Sequence, residues 1–428
     1  MEKKLKQNII NNVQIKKFCA YGFLKNLKFF EPYLIIFLLA SHINLFYIGI
    51  LYTIREIIIN IFEIPSGVLG DIMGCKKELM LSFVFYIISF IFFFLTNTFL
   101  MATIAMIFFG LGDAMRSGTH KTMIYRYLEI KGWQQYKTFV YGRTKSWSLT
   151  GSAISSVVAI LFILNIPRNN YIFLISIIPY LIDFALIYSY PNELDKVNHT
   201  TNKISQITIE YNNFVVLVKD VIKQLYHKKN LQKLLINNGI FEATVKSTKD
   251  LVQPLLKLSI ISSGFIMIEN LNTDENLKIV LGLTYALFYL LSSAASRQAY
   301  RIKKYFNLSK TLTFSLLLLG IILVLISLFT SKPIIIVFLF LMVYIVRNIR
   351  KPIYLDELDN TMEKKERVTM LSISSQLISV FTIIFAPIIG YIANKYGINY
   401  TMILMGTLLI VTYLVKYYTS STKKTQSI

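Results

Sequence analysis

Between Glu63 and Lys77 the chain reads Glu-Ile-Pro-Ser-Gly-Val-Leu-Gly-Asp-Ile-Met-Gly-Cys-Lys-Lys, directly after the long apolar run Phe46–Phe62. This stretch decides how the rest is read. Gly67, Gly70 and Gly74 remove side-chain bulk, so a helix end can come close to a neighbour. Asp71 falls where a helix leaves the bilayer, and Lys76 and Lys77 place positive charge on the side expected to face the cytoplasm.

The chain around that loop is too apolar for a soluble globular protein. Of its 428 residues 54% are hydrophobic and 14% aromatic, and the mean hydropathy is +0.55. Apolar windows of bilayer length predict about twelve spans, roughly 20–41, 45–70, 78–97, 100–125, 142–165, 170–190, 233–259, 277–297, 311–330, 333–350, 370–393 and 399–418. The expected fold is therefore an all-α membrane protein. The longest polar interruption, Pro191–Asn230, divides six spans from six, giving an N-terminal bundle over 1–190, a cytoplasmic linker over 191–230 and a C-terminal bundle over 231–428. Within the linker, Phe214–Leu225 is amphipathic and reads either as a surface helix or as part of a plain tether. The halves echo one another. Ile124-Tyr125 and Ile353-Tyr354 follow the basic clusters His120-Lys121 and Arg350-Lys351, each near the end of the fourth span of its half.

A net charge of +22 suggests nucleic acid until the positions are read. Basic residues crowd alternate connections: Lys3, Lys4 and Lys6 at the start, Lys131 and Lys137, Lys219 to Lys229, then Arg301, Lys303 and Lys304. The opposite connections are poor in them. Ser41–Leu45 and Thr96–Thr98 carry no Lys or Arg, and Glu269, Asp274 and Glu275 are acidic. That asymmetry places both termini in the cytoplasm of a multi-pass protein of the cell membrane. The expected partners are the lipid bilayer and a small-molecule substrate, with no nucleic acid, and the chain is expected to act as a monomer. Cys19 and Cys75 form neither a disulfide framework nor a zinc spacing, and no nucleotide-binding or nucleophile motif is visible. No metal, cofactor or enzymatic activity is expected. The basic start leads into a full span without a small-residue cleavage site, so no cleavable leader is expected either.

The loop after the second span resembles that of the major facilitator superfamily, Gly-x-Leu-x-Asp-x-x-Gly-Arg-Lys/Arg. Gly67, Leu69, Asp71, Gly74, Lys76 and Lys77 occupy the matching places, and Cys75 stands where the family has Arg. The resemblance implies twelve transmembrane helices in two pseudosymmetric six-helix bundles, a substrate cavity between them, and secondary active transport by alternating access. It also implies a conformational latch in the loop, with Asp71 meeting the positive N-terminus of the eleventh span near Arg367. The second helix is similar to clostridial tetracycline efflux proteins of the P type, which carry Glu-x-Pro-x5-Asp-x3-Arg-Lys. Glu63, Pro65, Asp71 and Lys76 match, and Glu56 supplies the glutamate one heptad earlier. This likeness implies proton-coupled efflux of a drug or metabolite, a tetracycline-like compound being one candidate. The fifth span lacks the Gly-Pro pair of many drug/proton antiporters.

Charges inside the spans mark the candidate site, because each costs about 2.5–3.5 kcal/mol at mid-membrane and so should face protein or water. Glu56, Asn60, Glu63 and Gly67 repeat at i, i+4, i+7 and i+11 and make one polar stripe. The two carboxylates read as proton or substrate carriers, or as counter-charges for arginines on other helices. Arg55 points about 100° away from Glu56 and is expected to snorkel or pair with a neighbour. Asp113, Arg116, Ser117 and His120 share one face of the fourth span if it is a continuous helix, with Asp113 and Arg116 able to pair and His120 either relaying protons or packing neutral. Glu242, Lys246 and Asp250 repeat every four residues in the seventh span; they neutralise one another, or Lys246 holds a substrate carboxylate. Glu31-Pro32 combines a charge with an expected kink. Asp183 has no evident partner in sequence. The readings left standing are proton-coupled efflux, import of an anionic metabolite by proton symport (Arg116, Lys246, Arg347 and Arg350 making a basic cavity), and a membrane sensor or scaffold that transports nothing.

Overall fold

A computed structural model describes residues 2–195, 229–305, 308–361 and 367–425, and every regular element among them is helical. The N-terminal elements are α1 (Glu2–Asn11), α2 (Val13–Leu24), α3 (Leu34–Ala40), α4 (Leu45–Met73), α5 (Cys75–Phe94), α6 (Phe99–Arg116), α7 (Thr119–Ile130), α8 (Lys137–Asn165) and α9 (Tyr171–Tyr188). The C-terminal elements are α10 (Lys229–Thr248), α11 (Val252–Ser263), α12 (Thr273–Tyr305), α13 (Leu308–Leu328), α14 (Pro333–Thr361), α15 (Arg367–Lys395) and α16 (Ile398–Thr425). Among the described residues, nine helical segments are long and apolar enough to cross a membrane. Most of the expected linker, including Phe214–Leu225, lies outside the described residues.

Three of the expected spans are not single helices. The first divides into α2 and α3, because Asn26 turns its side-chain amide back to Gly22 O at 2.6 Å and Pro32 cannot donate to a preceding turn. The Glu31-Pro32 break is thus present and wider than a kink, with a 3-10 turn at Glu31–Tyr33. The fourth divides at Ser117, whose backbone is extended, and Gly118, whose φ of +81° suits glycine. The seventh divides at a 3-10 turn, Lys249–Leu251, between α10 and α11. The eighth lies inside the unbroken α12.

The chain forms two compact units, one from Met1–Phe37 and Ile54–Phe214, the other from Leu38–Thr53 and Val215–Ile428. In the first, α9 shows the inside-out pattern that lipid favours: Ile178, Leu181 and Ile182 are exposed, while Ser176, Tyr180 and Asp183 are buried. Phe173 of α9 stacks on Phe93 of α5 and on Phe30, at centroid distances of 5.0 and 5.2 Å. Along α8, Ser148, Ser152 and Ser156 are buried and donate to their own i−4 carbonyls at 3.0–3.3 Å. Such side chains need no outside partner, so α2 packs close, as the small residues of 146–156 led us to expect.

In the second unit α13 and α16 meet backbone to backbone. A Cβ on Gly320 would sit 2.8 Å from the Gly406 carbonyl oxygen, and one on Gly406 would sit 2.7 Å from that of Gly320. Gly320→Leu is therefore expected to lower stability by about 1–3 kcal/mol, read as a fall in melting temperature in detergent. A variant melting with the parent would mean the two helices have slack at this crossing.

Candidate functional site

The first unit holds a charged knot centred on Asp113, near the end of α6 and only 9% exposed. Arg55 of α4 donates to Asp113 Oδ2 through Nη2 at 2.6 Å and Nε at 3.1 Å. Arg116 Nη2 reaches Oδ1 at 3.2 Å, the Tyr86 hydroxyl donates to Oδ1 at 2.5 Å, and Arg116 Nε donates to the Tyr86 oxygen at 2.9 Å. Two guanidinium groups thus share one carboxylate, an arrangement that keeps a net positive charge inside the unit. The Arg55 guanidinium and the Lys28 ammonium both lie against the Phe109 ring, at 4.8 and 5.1 Å from its centroid. The Asp113–Arg116 pairing within the helix is as expected. Arg55 follows the pairing alternative rather than snorkelling.

His120 does not share a helix face with Asp113. The break at Ser117-Gly118 starts a new helix and resets the phase. Its ring stacks on Tyr21 at 3.7 Å between centroids, meets Phe18 edge-on, and has Nε2 3.2 Å from the Tyr190 hydroxyl. The packing alternative describes it.

Even so, Arg116 and His120 reach one space. With Lys25, Lys121 and Lys145 they line a cavity of about 330 Å³ between α2, the α6–α7 junction and α8, and no carboxylate lines it. Lys25 caps α2, its ammonium 5.0 Å from the Tyr21 ring centroid. Neither Lys25 nor Lys145 stood out in sequence, since lysines at span ends are common in a chain with 45 Lys and Arg.

The signature loop is held by partners invisible to its own pattern. Glu78, in the first turn of α5, folds its buried carboxylate over Gly70, where a Cβ would stand, and accepts from Thr119 Oγ1 at 3.1 Å. Gly74 has φ +95°, and Asp195 fills the place of its Cβ while accepting from Lys76 N at 2.9 Å. Lys76 Nζ donates to Tyr190 O at 3.0 Å and Asn192 Oδ1 at 3.2 Å. Gly70, Gly74 and Lys76 therefore tie the α4–α5 turn to the end of α9 and the start of α7. Gly67 makes no such approach: a Cβ there meets nothing within 4 Å. Lys77 is exposed. Asp71 lies in the last turn of α4, and its side chain is outside the described residues.

On α4, Glu56 is 2% exposed and Glu63 half-buried, the latter accepting from Ser117 Oγ at 3.2 Å beside the helix break. Asn60 Nδ2 donates to Glu56 O at 2.9 Å. Glu31 is half-buried in its 3-10 turn.

In the second unit Glu242 of α10 accepts from Arg347 Nε of α14 at 2.9 Å, an interhelical pair that the reading within one helix did not contain. Arg350, one turn on, is buried; it donates to Asn238 Oδ1 at 2.6 Å and Ser315 Oγ at 2.9 Å, and lies over the Phe241 ring. Asp250 sits in the 3-10 turn, accepting from the Tyr285 hydroxyl at 3.2 Å beside Lys249 at 3.6 Å. Lys246 is half-buried in the last turn of α10. The four-residue repeat of the seventh span therefore ends in two separate networks.

Comparison with known proteins follows this geometry. A sequence profile described as Major Facilitator Superfamily matches residues 18–427. The chain is 24% identical over 390 residues to the uncharacterized MFS-type transporter YxaM of Bacillus subtilis (strain 168), covering 89% of each protein. Among solved structures, it superposes on the nucleoside transporter NupG with a TM-score of 0.71 at 12% identity, covering 94% of this chain and 98% of that one. On a D-xylose-proton symporter the TM-score is 0.69 at 12% identity, with 94% and 95% covered. On a POT family transporter in complex with 5-aminolevulinic acid it is 0.68 at 12% identity, with 96% of each covered. These structural likenesses show the fold.

Proposed function

This chain belongs to the Major Facilitator Superfamily, and we propose that it is a secondary active transporter that moves a small organic solute across the cell membrane by alternating access, coupled to protons. The observation that carries this reading is the charged knot at Asp113. Burying two guanidiniums around one carboxylate inside membrane-length helices is costly, and a scaffold that moves nothing gains little from it. Glu56 and Glu63 are the proposed proton carriers, and the α4–α5 loop, through Asp71, is the proposed latch. The Glu63-x-Pro65 signature supports the outward direction, so that a proton arriving from outside discharges a carboxylate and loosens the solute. Both termini lie in the cytoplasm on this reading, with the basic connections on that side. The cation-lined cavity of the first unit supports a second reading of the substrate, an anionic metabolite moved together with protons.

The test is flux. Purified chain in liposomes, given an imposed pH difference, is expected to drive accumulation of at least one solute from a panel of drugs, sugars, nucleosides and organic anions, and dissipating the gradient should stop it. Flux indistinguishable from protein-free liposomes for the whole panel would remove the transporter reading.

A further inference from the structure

We infer that the cavity of the first unit binds a small organic anion, a carboxylate or a phosphate ester, and that Asp183 takes up a proton as the anion binds. The inference rests on the transporter reading only for the view that this cavity is a solute site.

Charge comes first. Lys25, Arg116, Lys121 and Lys145 line a space of about 330 Å³ that no Asp or Glu side chain lines. Such a volume falls at the small end of small-ligand sites, about 300–1,000 Å³. Arg116 is not neutralised by Asp113, which it shares with Arg55. Fixed cations in a low-dielectric setting attract an anion strongly, and a cationic or neutral solute gains nothing from them.

Asp183 supplies the second observation. It lies on α9, fully buried, and neither carboxylate oxygen has a hydrogen-bond partner. The charges acting on it are Lys25 and Arg116, both of which line the cavity. The other titratable groups around it are Tyr21 from α2 and, on its own stretch, Tyr180 and Tyr190. Tyr86 of α5 packs against Tyr180, and Lys145 of α8 acts on Lys25. The Tyr180 hydroxyl, one turn before Asp183, donates to Lys25 O at 3.0 Å and joins α9 to the end of α2.

A buried carboxylate without donors stays ionised only through nearby cations. An anion seated on Lys25 and Arg116 takes up that positive potential. Asp183 then gains a proton from solvent, its carboxylate becoming a carboxylic acid while the total charge of the filled site changes little. Anion and proton are thereby linked, each favouring the other. No other acid lies in the cavity wall to compete for this role.

The test is equilibrium binding to the purified full chain in detergent, where no flux is needed. The probes are citrate, glycerol 3-phosphate and inorganic phosphate, with glucose and choline as neutral and cationic controls. At least one anion is expected to bind at least about tenfold more tightly than either control. Lys145→Gln, at an exposed position that bears little on folding, and Lys25→Gln should each weaken that anion about tenfold. Calorimetry in two buffers of different ionisation enthalpy should show proton uptake on binding, and Asp183→Asn should still bind the anion without that uptake. Should Asp183→Asn not purify, Asp183→Ser gives the same readout.

Equal binding of controls and anions would overturn the anion site, as would unchanged affinity in both folded lysine variants. Undiminished proton uptake in the Asp183 variant would overturn its role. Comparing nanodiscs of phosphatidylcholine with discs containing phosphatidylglycerol separates free solute from lipid. Loss of soluble-anion binding in the acidic discs would assign the site to a headgroup and overturn the solute reading. Anion binding without any flux in liposomes would fault the transporter reading alone, and flux of neutral solutes without anion binding would fault the anion site alone.

Discussion

Replacing Asp113 by Asn is expected to destabilise the chain by about 3–5 kcal/mol, the largest effect of any single substitution in the first unit. Asn keeps the shape and loses the charge. Arg55, Arg116 and the Tyr86 hydroxyl then face one another around a neutral amide that cannot accept all of their hydrogen bonds. The cost is that of uncompensated buried guanidinium groups, not the small worth of a solvated ion pair. Arg55→Gln in the same chain should recover part of the loss, because one guanidinium fewer then lacks a counter-charge, and this non-additivity is the diagnostic. Melting of the single and double variants in detergent measures both effects. If Asp113→Asn melts within about 1 kcal/mol of the parent, the knot does not hold α4, α5 and α6 together in the way its geometry implies.

Glu56→Gln and Glu63→Gln are each expected to reduce pH-driven accumulation to the level of protein-free liposomes while leaving downhill exchange of solute measurable. The two carboxylates lie seven residues apart on α4, about 10 Å along the axis at 1.5 Å per residue. That distance rules out a shared proton and suits a relay through water or solute. Glu56 is buried, and Glu63 touches Ser117 at the α6–α7 break, where the backbone already departs from the helix. Gln preserves size and hydrogen bonding and removes only the ability to ionise, so a packing role survives the change and a proton role does not. Glu56→Asp, which keeps the acid, should be the milder variant. Uphill movement retained by both Gln variants would end the assignment and leave Asp183 as the remaining acid to test.

How much of this was legible beforehand depends on how far apart in sequence the interacting groups stand. The membrane class was plain, because apolar length and the placement of lysines are properties of contiguous segments. The loop Gly67–Lys77 identified the family through residues within eleven positions of one another. Pairing of Asp113 with Arg116 was readable because residues three apart adjoin on a helix. Glu242 with Arg347, 105 positions away, and Arg55 with Asp113, 58 positions away, were not.

Continuity of helices was the other blind spot. Composition at 117–118 and 249–251 stays compatible with a span, so the polar stripe through His120 and the repeat through Lys246 and Asp250 looked regular. One glycine at φ +81° ends the first, and a 3-10 turn ends the second. Periodicity carries side-chain direction only while the backbone dihedrals repeat.

By itself, then, the sequence determined a helical membrane protein with alternately basic connections and the second-helix signature of its family, since bilayer thickness and charge placement act on local segments. Only the tertiary structure decided which charges pair, that Lys25, Arg116 and Lys145 line one cavity, and that Asp183 is buried without a hydrogen bond. Those outcomes depend on which faces of separate helices meet. Steric fit at close contacts sets that choice, and it has no signature along a single segment.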